Sequence, residues 1–160
     1  MKDKHELPNT GVFDEQRIFE KGILENCVKI KGVNFGLPIC EDIRKETVLK
    51  KLSQSGAEII IAINASPFTM SKYDERNNIA LSRVKETKLP IVYLNRTGGQ
   101  DELIFDGSSF SMNYDGKKFS SLEEFKEDIA TINFEKNNGK WIGLSLIHIS
   151  EPTRPERISY

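Results

Sequence analysis

Gly36-Leu37-Pro38-Ile39-Cys40-Glu41-Asp42 closes a short apolar run, residues 33–39, with a cysteine followed at once by two carboxylates. The run has the length and composition of a buried strand, and the polar residues after it read as the turn by which that strand leaves its sheet. A helical pattern follows, with Val48, Leu49 and Leu52 on one face. A cysteine at such a turn suits a nucleophile: its sulfur faces a cleft, and backbone N–H groups are near for a thiolate or an oxyanion. Residue type alone favours a different reading, a free cysteine packed in an apolar core. The two adjacent acids disfavour a thiolate, so the chemistry needs a lysine or arginine from elsewhere in the chain.

On the N-terminal side, residues 27–30 alternate as an edge or half-buried strand, and Lys31-Gly32 turns them into the next strand as a hairpin. On the C-terminal side a helix is expected over about 45–54, stopped by Ser55-Gly56. Residues 58–63 form the strongest strand, β-branched and expected to be buried on both faces. It ends in the polar loop Asn64-Ala65-Ser66-Pro67-Phe68. A long helix over 73–88 turns Ala80, Leu81 and Val84 inward, Leu89-Pro90 ends it, and 91–94 is another buried strand. Residues 95–102 read as a glycine-bearing loop in which Gly98-Gly99 makes a tight structural turn. Short strands are expected over 103–105 and 109–113 around Asp106-Gly107, a turn over 114–117, and a last strand over 128–134. Strands alternating with helices imply an α/β layer structure. Cys40, Ser66 and Asn95 each follow a buried strand, and in open α/β sheets the ligand crevice lies beyond the carboxyl ends of the strands.

Composition narrows the function classes. At 160 residues the chain suits one domain. Twenty-three basic residues against 24 acidic ones leave a net charge of -1, so no unbalanced basic face points to nucleic acid. The longest apolar run, 59–63, is too short to cross a bilayer. Two cysteines, Cys27 and Cys40, make neither a disulfide framework nor a metal spacing, and Cys27 reads as a packing residue. His5 and His148 are too few for a metal site. With no signal peptide at the charged N-terminus, a reduced cytoplasmic setting is the expectation.

The first 22 residues, broken by Pro8, Asn9, Gly11 and Gly22, read as loop, and a start on loop with no element before it looks like a cut in a longer chain. Residues from about Leu144 onward follow no pattern set by the rest and resemble the translation of a sequencing-adapter tail. The division expected is therefore a partial domain over 1–143 and a non-native tail over 144–160, with a native disordered tail as the alternative.

Five segments together resemble one family: Lys4-x-x-Leu7-Pro8-Asn9, Gly11-Val12-Phe13-Asp14-Glu15-x-Arg17-x-Phe19, Pro38-Ile39-Cys40-Glu41-Asp42, Asn64-Ala65-Ser66-Pro67-Phe68 and Gly98-Gly99-Gln100-Asp101-Glu102-Leu103-x-Phe105-Asp106-Gly107. They are similar to the glutaminase domains of glutamine-dependent NAD synthetases, within the nitrilase or carbon–nitrogen hydrolase superfamily. The resemblance covers Lys4 to about Gly116. It implies a partial four-layer α-β-β-α sandwich of the nitrilase type, with Cys40 as nucleophile, Lys4 as catalytic lysine and Glu15 as the glutamate that orients the lysine. Phe13, Glu41, Ser66 and Lys72 are implied to hold glutamine. Lys4 would supply the missing cation, and the Glu41 N–H would be a second oxyanion donor.

The same resemblance implies that the freed ammonia serves a synthetase domain, which makes NAD from nicotinic acid adenine dinucleotide at the expense of ATP. This segment is expected to hold no cofactor, ATP and Mg belonging to that other domain, and the parent is expected to be a homo-oligomer. The family's general-base glutamate lies upstream of the lysine, and no residue here takes its place. Thr10 stands where a substrate-contacting tyrosine is usual, and Arg44 where an aromatic is common. The isolated stretch is accordingly expected to be inactive and marginally stable. A stand-alone nitrilase-type amidase and a non-catalytic remnant are the alternative readings.

Overall fold

A computed structural model of the chain describes residues 3–24 and 26–148. Its backbone follows the loop expected at the start, interrupted only by a single 3₁₀ turn, Glu15–Arg17. Regular structure opens with a hairpin of β1 (Val28–Ile30) and β2 (Val33–Gly36). Its two turn residues, Lys31 and Gly32, both have positive φ, +47° and +87°. That backbone matches the twist of paired strands, which is why a glycine serves here.

Next come α1 (Glu46–Gln54), β3 (Ile59–Asn64), α2 (Lys72–Thr87) and β4 (Ile91–Asn95), with β2, β3 and β4 mutually parallel. The chain then forms β5 (Thr97–Gln100), β6 (Leu103–Asp106), β7 (Phe110–Met112) and β8 (Lys118–Ser121). It ends in a long hairpin of β9 (Ala130–Asn137) and β10 (Lys140–His148). The main sheet has the order β1-β2-β3-β4-β7-β8, while β5-β6 and β9-β10 stand as separate pairs.

Both helices lie on one face of this sheet. Val48, Leu49 and Leu52 of α1 and Ala80 and Val84 of α2 pack with Ile60, Ala62, Ile91, Tyr93, Phe110 and Met112 in one core. A helix of nine residues is marginal alone, and burial of roughly 1.5–3 kcal/mol for each large apolar side chain is what stabilises α1. The result is the partial α/β sandwich expected from the sequence, one helical layer on one mixed sheet.

Several expectations are corrected. β3 is not buried on both faces: Ile61 is half-buried and Ile63 is 53% exposed, because the helices cover only the side of Ile60 and Ala62. Leu81 is half-buried, and the third inward position of α2 belongs to Arg76. Gly98 and Gly99 are not a turn but lie in β5, opposite Phe105 and Ile104, and the reversal falls at Asp101, whose φ is +52°. β8 and β10 were not expected; each pairs antiparallel with the strand just before it in the chain, β8 with β7 and β10 with β9. The expected boundary at residue 143 falls inside β10, and residues 149–160 of the adapter-like tail lie outside the described residues. Among the described residues no helix is long and apolar enough to cross a membrane.

Candidate active site

β2 stops at Gly36 because Leu37-Pro38 interrupts the ladder: proline has no N–H to donate. Contact with β3 resumes at one point, where Ile39 bridges Ile63 and the Ile63 N–H donates to the Pro38 carbonyl at 3.2 Å. The chain then bends away at Cys40, which opens a 3₁₀ turn, Cys40–Arg44. Cys40 has φ +50°, a left-handed conformation that non-glycine residues adopt at some cost and that clusters at functional sites.

Cys40 is half-buried and lines a cavity of about 510 Å³ beyond the carboxyl ends of the parallel strands. Phe13, Glu41, Ser66 and Lys72, four of the residues the resemblance implied for substrate, line the same cavity. Residues between Pro8 and Phe13 form one wall, so the loop-like start of the chain is part of the site.

Lys4 and Glu15 are not among the lining residues. They pair with each other, the Lys4 ammonium donating to Glu15 Oε1 and Oε2 at 2.7 and 2.6 Å, with both side chains largely buried. That pair staples the two ends of the wall segment, and the Glu15 N–H donates to the Pro8 carbonyl at 3.1 Å.

Asp42 does not cap the following helix, whose N-cap is Lys45. Its carboxylate, 2% exposed, accepts from the N–H groups of His5 and Glu6 at Oδ1, at 3.1 and 2.6 Å, and from Ile39 at Oδ2, at 3.0 Å. The segment that carries Lys4 is thereby tied to the turn that carries Cys40.

Ser66 is held by Asn95, which the sequence places at the crevice, and by Arg76, which the sequence did not single out. The Asn95 side chain, placed by the end of β4, accepts from the Ser66 N–H at 2.8 Å and donates to its carbonyl at 3.3 Å. Asn95 thus serves the crevice indirectly. Arg76, 1% exposed, donates to Ser66 Oγ at 3.2 Å, to the Ser66 carbonyl at 2.7 Å and to the Pro67 carbonyl at 3.2 Å. Its remaining donors grip Asp106 bidentately at 2.8 and 2.9 Å, and the Ser108 hydroxyl donates to the same carboxylate at 2.7 Å. Burial opposes the charge on Asp106, but the Arg76 and Ser108 hydrogen bonds outweigh it and hold the carboxyl below its usual range. The signal for Arg76 was available: with Ala80 and Val84 it repeats every four residues along the inward stripe of α2.

Two further features of the cavity went unread. Tyr93, on the helix-facing side of β4, lines it and stacks on Phe110 at 4.9 Å between centroids. Burial pushes its hydroxyl up to about 12; Arg76 opposes the shift, Cys40 adds to it, and Arg44 and Ser66 oppose it. At neutral pH the phenol therefore keeps its proton and can donate a hydrogen bond. Charges of both signs line the cavity as well: Arg44 meets Glu75 at 2.6 Å and Glu41 at 3.4 Å, and Lys72 meets Glu75 at 2.9 Å. Glu75 is held below the usual carboxylate range, first by its hydrogen bond from Lys72 and, against the effect of burial, by Arg44.

The family model for the carbon–nitrogen hydrolases matches residues 2–139. The chain belongs to the carbon–nitrogen hydrolase family. The chain is 39% identical over 138 residues to the glutamine-dependent NAD(+) synthetase of Rhodobacter capsulatus, a match that covers 86% of the chain and 25% of that protein. It is 41% identical over 133 residues to the enzyme of the same name from Acinetobacter baylyi, covering 83% and 25%. Among solved structures, the ADP complex of the glutamine-dependent NAD+ synthetase from Acinetobacter baumannii superposes with a TM-score of 0.81 at 37% identity, over 92% of this chain and 27% of that one. A carbon-nitrogen hydrolase from Helicobacter pylori shares the fold, with a TM-score of 0.72 at 22% identity over 78% and 48%. The chain thus spans about a quarter of the length of the curated relatives it matches.

Proposed function

We propose that this carbon–nitrogen hydrolase segment is the glutaminase part of a glutamine-dependent NAD synthetase. The observation that carries the reading is the convergence of Cys40, in its left-handed turn, with Phe13, Glu41, Ser66 and Lys72 on one cavity. The sequence identity to proteins named as glutamine-dependent NAD(+) synthetases supports glutamine as the amide.

In this reading the Cys40 sulfur attacks the side-chain carboxamide carbon of glutamine, forming a C–S bond. The tetrahedral intermediate collapses with cleavage of the C–N bond, and the nitrogen leaves as ammonia after taking a proton. Water then adds to the γ-glutamyl thioester, releasing glutamate and restoring the thiol. Lys4, held by Glu15, supplies the positive charge that favours a thiolate over a thiol flanked by acids. Glu41, Ser66, Lys72 and Phe13 position glutamine, with Tyr93 offering a further hydrogen-bond donor at the cavity wall.

The ammonia passes to a synthetase domain of the parent chain, which uses ATP and magnesium to amidate nicotinic acid adenine dinucleotide. That parent is a homo-oligomer of the cytoplasm in this proposal. Glutamate formation from glutamine by the parent enzyme tests it. Cys40→Ala and Lys4→Met should each abolish glutamine-dependent NAD formation and leave formation from added ammonia intact. Full glutamine-dependent activity in Cys40→Ala would overturn the assignment.

A further inference from the structure

We infer that Asp42 is a positioning residue that sets the Lys4 segment against the Cys40 turn, and thereby the reactivity of the Cys40 thiol. The inference rests on the roles proposed above for Lys4 and Cys40. What carries it is a single buried side chain spanning both. Asp42 Oδ1 receives the N–H groups of His5 and Glu6, the two residues directly after Lys4, and Oδ2 receives the N–H of Ile39, the residue directly before Cys40.

The carboxylate is itself fixed. Its own N–H donates to the Ile39 carbonyl at 3.1 Å, and its carbonyl accepts from the Lys45 N–H at 3.2 Å, so the 3₁₀ turn sets where the side chain points. On the far side, the Lys4 segment is pinned again: the Gly22 N–H donates to the Lys4 carbonyl at 2.9 Å, and His5 Nδ1 lies 2.8 Å from the Gly22 carbonyl. A Cβ on Gly22 would meet the Asp3 Cβ at 2.5 Å, which shows how closely the two strands of chain approach.

Chemistry explains why an aspartate stands here. Three donors from two separate segments converge on two oxygens, an arrangement that needs acceptors only. Asparagine would turn an NH₂ group towards at least one N–H, and glutamate is a methylene too long for the turn. Among the described residues these oxygens meet backbone N–H groups and no cation pairs with them, so the carboxylate serves to hold backbone. Hydrogen bonds to a charged group are stronger than those between neutral groups, and loss of the set releases the lysine-bearing loop from the nucleophile's turn.

The test is the pH profile of Cys40 alkylation by iodoacetamide, followed by peptide mass mapping in the whole chain with Cys27 as internal reference. Asp42→Asn should move the Cys40 profile to higher pH by about one unit, about tenfold slower at neutral pH, while Cys27 is unchanged. In a Lys4→Met background, which should itself move the profile, Asp42→Asn should add nothing. Asp42→Ser keeps one acceptor and decides the matter if Asp42→Asn lacks a cooperative thermal transition; an intermediate shift is expected from it. An unchanged Cys40 profile in a folded Asp42 variant overturns the inference alone. If Lys4→Met also leaves the profile in place, the lysine assignment fails and the inference falls with it.

Discussion

Asn95 and Tyr93 illustrate what one residue contributes beyond its type. Asn95 ends β4 and has no place in the motifs, yet its side-chain amide fixes both backbone groups of Ser66. Asn95→Ala leaves those groups without their buried partner, at about 1–3 kcal/mol, so Km for glutamine in the parent enzyme should rise on the order of tenfold. Steady-state kinetics check this, with kcat expected to change less. The family resemblance singled out Cys40, Glu41, Ser66, Phe13 and Lys72, and the structure brings all five to one cavity. Asn95 was legible only as a loop residue near the crevice, and Tyr93 only as part of a buried strand. Their roles depend on contacts across 17 to 29 positions of sequence, which no local pattern encodes.

At the scale of elements, the clearest dependence is that of the Ser66 loop and the β6 terminus on α2. Arg76 and Asp106 form a wholly buried, bidentate pair that joins all three. Breaking a buried pair by removing one partner costs about 3–5 kcal/mol, because the other charge is left without compensation. Arg76→Ala and Asp106→Ala should each lower stability by about that amount, and the double variant by less than the sum, as chemical denaturation would reveal. The helices α1 and α2 and the strands β2, β3 and β4 were legible because their apolar periodicity is local and strong. β5 was not, since Gly98 and Gly99 suggest a turn and their strand conformation comes only from pairing with β6. β8, Lys-Phe-Ser-Ser, was missed because one large apolar side chain leaves no periodic signal, and β10 because its second half lies in the stretch that resembles an adapter tail.

The whole molecule shows an asymmetry of burial. One sheet face is covered by the helices, while the other presents Ile63 and its partner Leu94, 53% and 42% exposed. Adjacent exposed apolar side chains of this kind mark contact or aggregation surfaces. The chain should therefore bind an apolar dye such as ANS in its folded state, and Ile63→Lys with Leu94→Lys should reduce that binding without abolishing the thermal transition.

Two buried acids set the pH limits of stability. Asp106, with its folded titration depressed, contributes stability that is present above its ordinary value of 3.8 and is lost as pH falls through the depressed range. Tyr93 is raised from 10.0 to about 12, so its contribution is whole below pH 10 and is lost as pH rises through 12, at up to roughly 3 kcal/mol. Thermal midpoints should fall at both extremes, and Tyr93→Phe should blunt the alkaline limb.

The central claim is that Cys40, and not Cys27, is a nucleophile set in a glutamine pocket. It is tested most directly by exposing the chain to a glutamine-mimicking electrophile and measuring intact mass, with Cys40→Ala as control. A single adduct that maps to Cys40, is suppressed by excess glutamine and is absent from Cys40→Ala is the predicted result. Equal, slow labelling of Cys27 and Cys40, unaffected by glutamine, would contradict it.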